Sequence, residues 1–187
     1  MKRMEDSTFG IMGLGKIGKA VAKRAKGFGF HIIAYSPSWP ENAAEELGVE
    51  LVTKEELYKR SDIITLNMRL TPDNENILDR DAFQMMEKKP VIVNVSRGQL
   101  IDEQALLEAL DTGKVFGAGL DVLVEETDEN TKKSPFVGRE DVILTPHSAF
   151  YSDKALFECQ RIGAENLVYI LKKEKDKVFR MVNDVEL

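Results

Sequence analysis

Short apolar runs alternate with longer segments of helical spacing along this chain of 187 residues. Six of the runs predict β-strands, because a few consecutive apolar residues bounded by turn-forming residues are typical of buried strands. The predicted strands span residues 8–12, 31–35, 63–67, 91–95, 117–121 and 142–145. Strands that alternate with helices favour right-handed crossovers and a parallel sheet covered on both faces. The predicted fold class is therefore α/β, with a doubly wound parallel sheet in a three-layer α/β/α arrangement.

The segments between these runs carry the signals of helices. Residues 16–28 predict an amphipathic helix, with lysines and an arginine on its polar face. Its predicted apolar face consists of Ile17, Val21, Ala22 and Ala25. Thr53 and Asp102 are predicted N-caps of two later helices, and Gly113 is predicted to close the second of them.

The C-terminal third of the chain contains a long irregular segment and then a long predicted helix. Residues 125–141 form one long irregular segment, acidic at first, and connections of that length are often functional or mobile. Residues 152–175 predict a long final helix that leads into a charged tail. We therefore expect a doubly wound domain over residues 1–150 and a C-terminal helix and tail over residues 151–187.

Composition and charge exclude several classes of protein. The hydrophobic fraction of 43% and the charged fraction of 31% are those of a globular domain, not of a disordered or collagen-like chain. The formal net charge of -6 disfavours nucleic acids and anionic membranes as partners. A single cysteine, Cys159, excludes an internal disulfide and a multi-cysteine zinc site, and no other metal site is predicted. With no apolar stretch long enough to cross a membrane, the expected compartment is the cytoplasm.

Three glycines follow the first predicted strand and open the first predicted helix. Gly13 permits a tight turn, Gly15 lets a pyrophosphate approach the backbone, and Gly18 lets helix and sheet pack closely. The helix N-terminus at Lys16 and Ile17 offers unpaired N–H groups to the anion. This pattern predicts a Rossmann fold that binds a dinucleotide, and a glycine-rich turn without a ligand is the alternative.

The residue that ends the second predicted strand bears on which dinucleotide fits. An acid at this place would hold the ribose hydroxyls of NAD. Ser36 stands there instead, so the charge that would repel the 2′-phosphate of NADP is absent, and no arginine follows immediately to attract one. NAD is the expected cofactor, and NADP stays open. Trp39 is either a neighbour of the adenosine or a half-buried surface aromatic.

Three segments in the second half carry a sharper signal: VNVSRGQLIDEQALLEAL, GAGLDVLVEE and ILTPHSAFYSDKALFE. Their order and spacing closely resemble those of the D-isomer-specific 2-hydroxyacid dehydrogenases, over nearly the whole chain from Thr8 to about Asn183. The resemblance implies an oxidoreductase that transfers hydride between NAD(P)H and a small D-2-hydroxy or 2-oxo acid, and a homodimer. The segment HSAFYSDKAL is most similar to the D-lactate dehydrogenase branch.

The resemblance implies a role for five side chains. Arg97 would bind the substrate carboxylate and carbonyl, because a guanidinium grips a carboxylate through two parallel hydrogen bonds. His147 would be the acid/base, and Glu126 would bond its other ring nitrogen, which fixes the tautomer and favours the charged ring. Asp121 would hold the nicotinamide amide, and Phe150 would line the substrate pocket.

The same resemblance implies further cofactor contacts, some at positions that depart from the family. These contacts are Asn67, Thr71, Val95, Ser96, His147 and Ala149. Asn67 and Arg69 replace a histidine and a proline that are usual in the family, and Thr127 stands where a proline is common. Arg69 is either a phosphate contact that compensates for Ser36 or an exposed side chain.

Each catalytic candidate also has a structural alternative. His147 could merely end a strand, Arg97 could belong to a plain strand-to-helix turn, and Glu126 could lie in a solvated acidic run. The other histidine, His31, begins a predicted strand and is expected to be structural. For Phe150 the alternative is core packing.

In the family a substrate-binding domain precedes the glycine turn, and the chain returns to that domain at its C-terminus. Only the return is present in this sequence. We therefore expect an incomplete enzyme with weak turnover, because catalysis needs a second wall that aligns substrate and excludes water. The alternative is a non-catalytic module derived from the same family, for sensing NAD(H), for interaction or for dimerisation.

Overall fold

The computed structural model of the protein describes residues 3–37, 44 and 47–179. Its described strands form one parallel sheet in the order β3-β2-β1-β4-β5-β6-β7. They are β1 (Thr8–Met12), β2 (His31–Tyr35), β3 (Glu50–Leu51), β4 (Ile63–Leu66), β5 (Val91–Asn94), β6 (Gly117–Leu120) and β7 (Val142–Leu144). The chain moves outward from β1 to β3 and then crosses to β4 on the other side of β1. Ligands of such sheets bind at this reversal, outside the carboxyl ends of the strands.

Six α-helices have described bounds. They are α1 (Lys16–Gly27), α2 (Lys54–Arg60), α3 (Arg80–Met85), α4 (Glu103–Asp111), α5 (Asp128–Lys133) and α6 (Asp153–Leu171). Thr53 caps α2 in a reciprocal capping box with Glu56, and the Asp102 carboxylate accepts from two backbone N–H groups at the start of α4. Gly113 follows α4 with φ of +65°, so both predicted caps and the predicted stop are confirmed.

Two clusters of buried side chains lie on the two faces of the sheet. Successive strand residues point to opposite faces, and accordingly Ile11 and Ile32 belong to one cluster and Met12 and Ile33 to the other. Helix α1 packs in the first cluster, whereas α2, α3 and α4 contribute to the second. The predicted three-layer, doubly wound α/β fold is confirmed.

Several predicted bounds were wrong by one residue, and one strand was missed. Four strands end before Asn67, Val95, Asp121 and Thr145, so these residues are the first to leave the sheet at its carboxyl edge. The N–H groups of Asn67, Asp121 and Thr145 still donate to carbonyls of the neighbouring strands, and the chain turns away after them in the region where a ligand would lie. Strand β3 has only two residues and shows no periodic pattern that could predict it.

Three predictions about helices also need correction. Ile17 is 63% exposed and does not belong to the buried face of α1, because the first turn of that helix faces the open end of the sheet. The segment 125–141 is not wholly irregular, since Thr127 caps the short helix α5. The final helix is shorter than predicted and ends at Leu171. Trp39 lies outside the described residues.

The chain divides into two compact units, Met1–His147 and Ser148–Leu187. The first contains the sheet, and the second contains α6, which has no buried residue among those described. No helix in the described part of the chain is both long and apolar enough to cross a membrane.

Candidate cofactor and catalytic site

The glycine turn joins β1 to α1 at the point where the strand order reverses. Gly13 has φ of +94°, and a Cβ there would come within 2.8 Å of the Met68 side chain. A Cβ on Gly18 would clash with the carbonyl oxygen of Gly13, so this position requires glycine for close packing. By contrast, no described atom lies within 4 Å of a Cβ built on Gly15, the N-cap of α1. Gly15 therefore leaves open space in front of the helix N-terminus.

A groove of about 840 Å³ extends from this turn along the carboxyl edge of the sheet. Predicted cofactor contacts in its wall are Gly13, Gly15, Ser36, Asn67 and Thr71, together with Arg69. Ser36 accepts a hydrogen bond from the backbone N–H of Leu14 through its Oγ, at 3.2 Å. The groove thus combines the glycine turn with the ends of β2 and β4, as dinucleotide sites of this topology do.

Asn67 contributes a buried acceptor to the region of this groove. Its Nδ2 donates to Oγ1 of Thr65 at 3.2 Å. Its Oδ1 is buried and has no hydrogen-bond partner among the described residues. Buried polar atoms are rarely left unpaired, and an unpaired one at a groove often marks the place of a ligand or water. The open helix N-terminus and this acceptor fit a ligand that has phosphates and hydroxyl groups.

A second group of candidate residues follows β5. Asn94, at the end of that strand, accepts from the N–H of Ser96 and donates to the carbonyl of Arg97, which shapes the turn between them. Ser96 Oγ donates to the carbonyl of Leu66 at 2.8 Å and ties the turn to β4. The Arg97 side chain is exposed, and its Nη1 donates to the Ser96 carbonyl at 2.6 Å. Val95 is 37% exposed beside them.

The residues after β6 and β7 bond to one another. Asp121 is buried, and its carboxylate accepts from the hydroxyl of Thr145 at 2.5 Å. Its backbone carbonyl accepts from the N–H of His147 at 2.9 Å. His147 has φ of +50°, a left-handed conformation that is uncommon for residues other than glycine and that recurs at functional sites. The backbone of this turn therefore fixes the position of the His147 Cβ, from which the imidazole extends.

Glu126 and His147 form the predicted pair. Oε2 of Glu126 lies 2.7 Å from Nδ1 of His147. Oε1 of the same carboxylate accepts from the backbone N–H of Leu123 at 3.2 Å, so both oxygens are held. The side chains of His147 and Glu126 are 44% and 39% exposed, which leaves the pair within reach of a ligand. The structure therefore brings the Glu126 carboxylate to the His147 ring, and the role of the pair stays a prediction.

The remaining predicted site residues lie at the start of α1 and in the second unit of the chain. Lys16 and Ile17 form the first turn of α1, behind the N-cap Gly15. Ala149 and Phe150 belong to the second unit. Phe150 is 61% exposed and meets Tyr151 edge to face, with ring centroids 6.2 Å apart. Phe150 is thus not part of the buried core among the described residues, and its place in a substrate pocket stays a prediction.

Sequence reasoning missed four residues that hold this half of the site. Thr145 bonds Asp121, and Gly98, Gln99 and Glu103 contact the loop that leads to Glu126. Three of the four lie within the quoted segment VNVSRGQLIDEQALLEAL, between one and six positions after Arg97. Glycine, glutamine and glutamate also occur in turns and at helix starts that touch no other loop, so the sequence carried no signal for these contacts.

A glycine turn at the reversal point of a doubly wound parallel sheet defines a dinucleotide-binding Rossmann domain. Residues 1–149 match the family model of the D-isomer specific 2-hydroxyacid dehydrogenase NAD binding domain. The chain therefore belongs to the D-isomer-specific 2-hydroxyacid dehydrogenases, and the family expected from its motifs is confirmed.

Similar proteins include several members of this family. The D-3-phosphoglycerate dehydrogenase of Methanocaldococcus jannaschii is 44% identical and matches 94% of this chain but only 33% of its own length. The D-lactate dehydrogenase of Escherichia coli is 40% identical, over 91% of this chain and 55% of that protein. The crystal structure of D-lactate dehydrogenase with NAD+ from Lactobacillus jensenii superposes with a TM-score of 0.87 at 27% identity, covering 97% of this chain and 57% of that one. This chain thus spans from a third to little more than half of these proteins.

Proposed function

We propose that the chain is the nucleotide-binding part of a dehydrogenase that transfers hydride between NAD and a small D-2-hydroxy or 2-oxo acid. The observation that carries the proposal is the contact of 2.7 Å between Nδ1 of His147 and the Glu126 carboxylate, beyond the carboxyl edge of a dinucleotide-binding sheet. In this proposal His147 is the acid/base, Glu126 supports it, and Arg97 binds the substrate.

His147 is suited to move a proton in both directions. With the carboxylate at Nδ1, that nitrogen keeps its proton in the neutral ring, and Nε2 is the atom that exchanges a proton with substrate. When a 2-oxo acid is reduced, the imidazolium donates the Nε2 proton to the carbonyl oxygen. When a 2-hydroxy acid is oxidised, the neutral ring takes the hydroxyl proton. In both directions the Glu126 carboxylate accepts the hydrogen bond from Nδ1 and holds the ring in one orientation.

Arg97 and the cofactor contacts complete the proposed site. Arg97 would bind the substrate carboxylate through two parallel hydrogen bonds, which orient the carbonyl. NAD, when bound, supplies or accepts the hydride. The proposed residues around the cofactor are Gly13, Gly15, Lys16, Ile17, Gly18, Ser36, Asn67, Thr71, Val95, Ser96, Asp121, His147 and Ala149, and Phe150 is proposed to line the substrate pocket.

NADP stays in the proposal as a second cofactor. Ser36 carries no charge that would repel a 2′-phosphate, and its hydroxyl already accepts from the glycine turn. Arg69 lines the same groove and is the proposed phosphate contact. If the alanine variant of Arg69 binds NADH and NADPH as tightly as the unchanged chain does, that contact is wrong.

A second function is favoured by the surface of the C-terminal unit. Phe157, Leu167 and Leu171 of α6 are each 59% or more exposed. An exposed apolar stripe marks an interaction surface, so a non-catalytic NAD(H)-sensing, interaction or dimerisation module is the alternative. We propose a cytoplasmic homodimer in either case, and sedimentation of the full chain with and without NADH tests the dimer.

The test of the nucleotide site is a calorimetric titration of the full chain with NADH and, separately, with NADPH. Gly15→Ala is the informative variant, since its methyl group meets no described atom but occupies the space that a pyrophosphate needs. We expect the chain to fold and to bind NADH at least about tenfold more weakly, a loss of about 1.4 kcal/mol. Gly163→Ala, equally unobstructed in α6, is the matched control.

Turnover separates the two functions. The full chain is assayed for NADH oxidation with pyruvate, glyoxylate and hydroxypyruvate. Turnover that depends on His147 supports the dehydrogenase, whereas NADH binding without turnover of any 2-oxo acid favours the sensing module. Unchanged NADH affinity in Gly15→Ala would overturn the placement of the nucleotide.

A further inference from the structure

The turn that carries Arg97 is packed directly against the loop that leads to Glu126. A Cβ on Gly98 would clash with the carbonyl group of Leu123 and with the backbone nitrogen of Val124. Glycine is therefore required at 98 because the two backbone segments touch. This contact joins the turn of the predicted substrate-binding residue to the loop of the residue predicted to support the acid/base.

Side chains from the same stretch also hold this loop by hydrogen bonds. Oε1 of Glu103, the first residue of α4, accepts from the N–H of Val124 at 2.8 Å. Nε2 of Gln99 donates to the carbonyl of Val124 at 3.5 Å. Both polar groups of Val124 are thus bound by side chains that follow Arg97.

Two carboxylates bind the backbone N–H groups of two successive residues in this loop. Glu126 accepts from the N–H of Leu123, and Glu103 accepts from the N–H of Val124. Leu123 packs against the core, but the Val124 side chain is exposed, so hydrogen bonds rather than burial hold the loop at Val124. Glu103 itself lies at a helix N-terminus, where a negative charge is stabilised.

We propose that Glu103 is a positioning residue, which fixes the 123–126 loop so that the Glu126 carboxylate is presented to Nδ1 of His147. Gly98 is the packing point that keeps this loop in register with the Arg97 turn. The inference rests on the proposed function, in which Glu126 and His147 act as the acid/base pair. It goes beyond that function by assigning the position of Glu126 to a residue outside the pair, Glu103.

The test uses the full chain and nuclear magnetic resonance at one fixed pH. The chain has two histidines, so the ring ¹⁵N signals of His147 are read beside those of His31 as an internal reference. In Glu103→Ala we expect the His147 ring signals to move and the His31 signals to stay. We also expect the Val124 amide hydrogen to exchange about tenfold faster, the factor for loss of one hydrogen bond to a charged group.

Two further variants separate positioning from simple stability. Glu103→Gln keeps an acceptor oxygen and should restore both the His147 signals and the Val124 exchange rate. Glu108→Ala is the matched control, because Glu108 lies on the same helix and pairs with Arg80 at 2.6 Å instead of with the loop. If Glu103→Ala lowers the melting temperature but leaves His147 and Val124 as they are in Glu108→Ala, the proposal is overturned.

The magnetic resonance measurement tests the role of Glu103 independently of the proposed function. Failure to bind NADH or to turn over a 2-oxo acid leaves the signals of His147 and Val124 measurable in the same protein. Where turnover is measured, Glu103→Ala should lower kcat and leave the KM for NADH within about twofold, since the residues of the nucleotide groove are untouched. A rise in KM alone would contradict the positioning role. If Glu103→Ala fails to fold, Glu103→Asp, whose shorter side chain draws the carboxylate back from the Val124 N–H, gives the same readout of Val124 exchange.

Discussion

Each of the two histidines contacts a glutamate, yet the two pairs lie in different regions and are connected differently. Nε2 of His31 lies 3.0 Å from Glu50, at the first residue of β2 and therefore at the amino edge of the sheet. Nδ1 of His147 lies 2.7 Å from Glu126, beyond the carboxyl edge, where ligands of this fold bind. Distance alone would not separate the pair expected to be structural from the pair proposed to be catalytic.

The partners of each carboxylate make the difference. Arg60 binds both oxygens of Glu50, at 2.7 and 2.8 Å, so this glutamate is already neutralised by a fixed cation. Hydrogen bonding by Arg60 holds the pKa of Glu50 below its ordinary value of 4.5. Within residues 3–37, 44 and 47–179, no lysine or arginine pairs with Glu126, whose other oxygen accepts from a backbone N–H. The charge of Glu126 is therefore available to the imidazole beside it.

The largest expected effect on turnover comes from replacing His147, and the same replacement at His31 is its control. We expect His147→Asn to lower turnover of a 2-oxo acid at least about a hundredfold, because general acid catalysis contributes that much or more. Asparagine tolerates the left-handed conformation at position 147, so the melting temperature should change little. His31→Asn is the control and should leave turnover within about twofold of the unchanged chain. Equal losses in the two variants would remove the distinction between the pairs.

Exchanging each glutamate for glutamine sharpens the same comparison. In Glu126→Gln the ring keeps a hydrogen-bond partner but loses the negative charge that favours the imidazolium, so we expect turnover to fall about tenfold to a hundredfold. Glu50→Gln should leave turnover unchanged. Steady-state kinetics with NADH at saturation measures both. A Glu126→Gln variant with full activity would show that the contact at 2.7 Å orients the ring without contributing charge.

Sequence reasoning recovered the part of the molecule that is built from the backbone. Gly13 and Gly18 are required by a positive φ and by a close approach, and such requirements leave glycines at fixed spacing that a single sequence displays. The strand ends were predicted within one residue because apolar runs mark them, although β3 is too short to leave such a run. Fold class and the nucleotide groove could therefore be predicted.

The part built from side chains was recovered only through the family resemblance. Glu126 and His147 are 21 positions apart, and nothing in their spacing states that their side chains meet. Glu103 and Gln99 bond the backbone of a loop from another part of the chain, and such contacts leave no periodic signal. The Glu50–Arg60 pair was not predicted either, since it depends on the missed strand β3.

The smallest effect concerns the stability of the structural pair. Because the pKa of Glu50 is lowered in the folded protein, chiefly by its hydrogen bonds to Arg60, its ionised form contributes stability above pH 4.5 that is lost as the pH falls through the lowered value. The side chains of Glu50 and Arg60 are 43% and 38% exposed, so the contribution at pH 7 is limited to about 1 kcal/mol or less. Glu50→Gln should melt slightly below the unchanged chain at pH 7 and together with it near pH 3. A difference that persists at the lower pH would mean that packing at this edge, not the ion pair, holds β3 to β2.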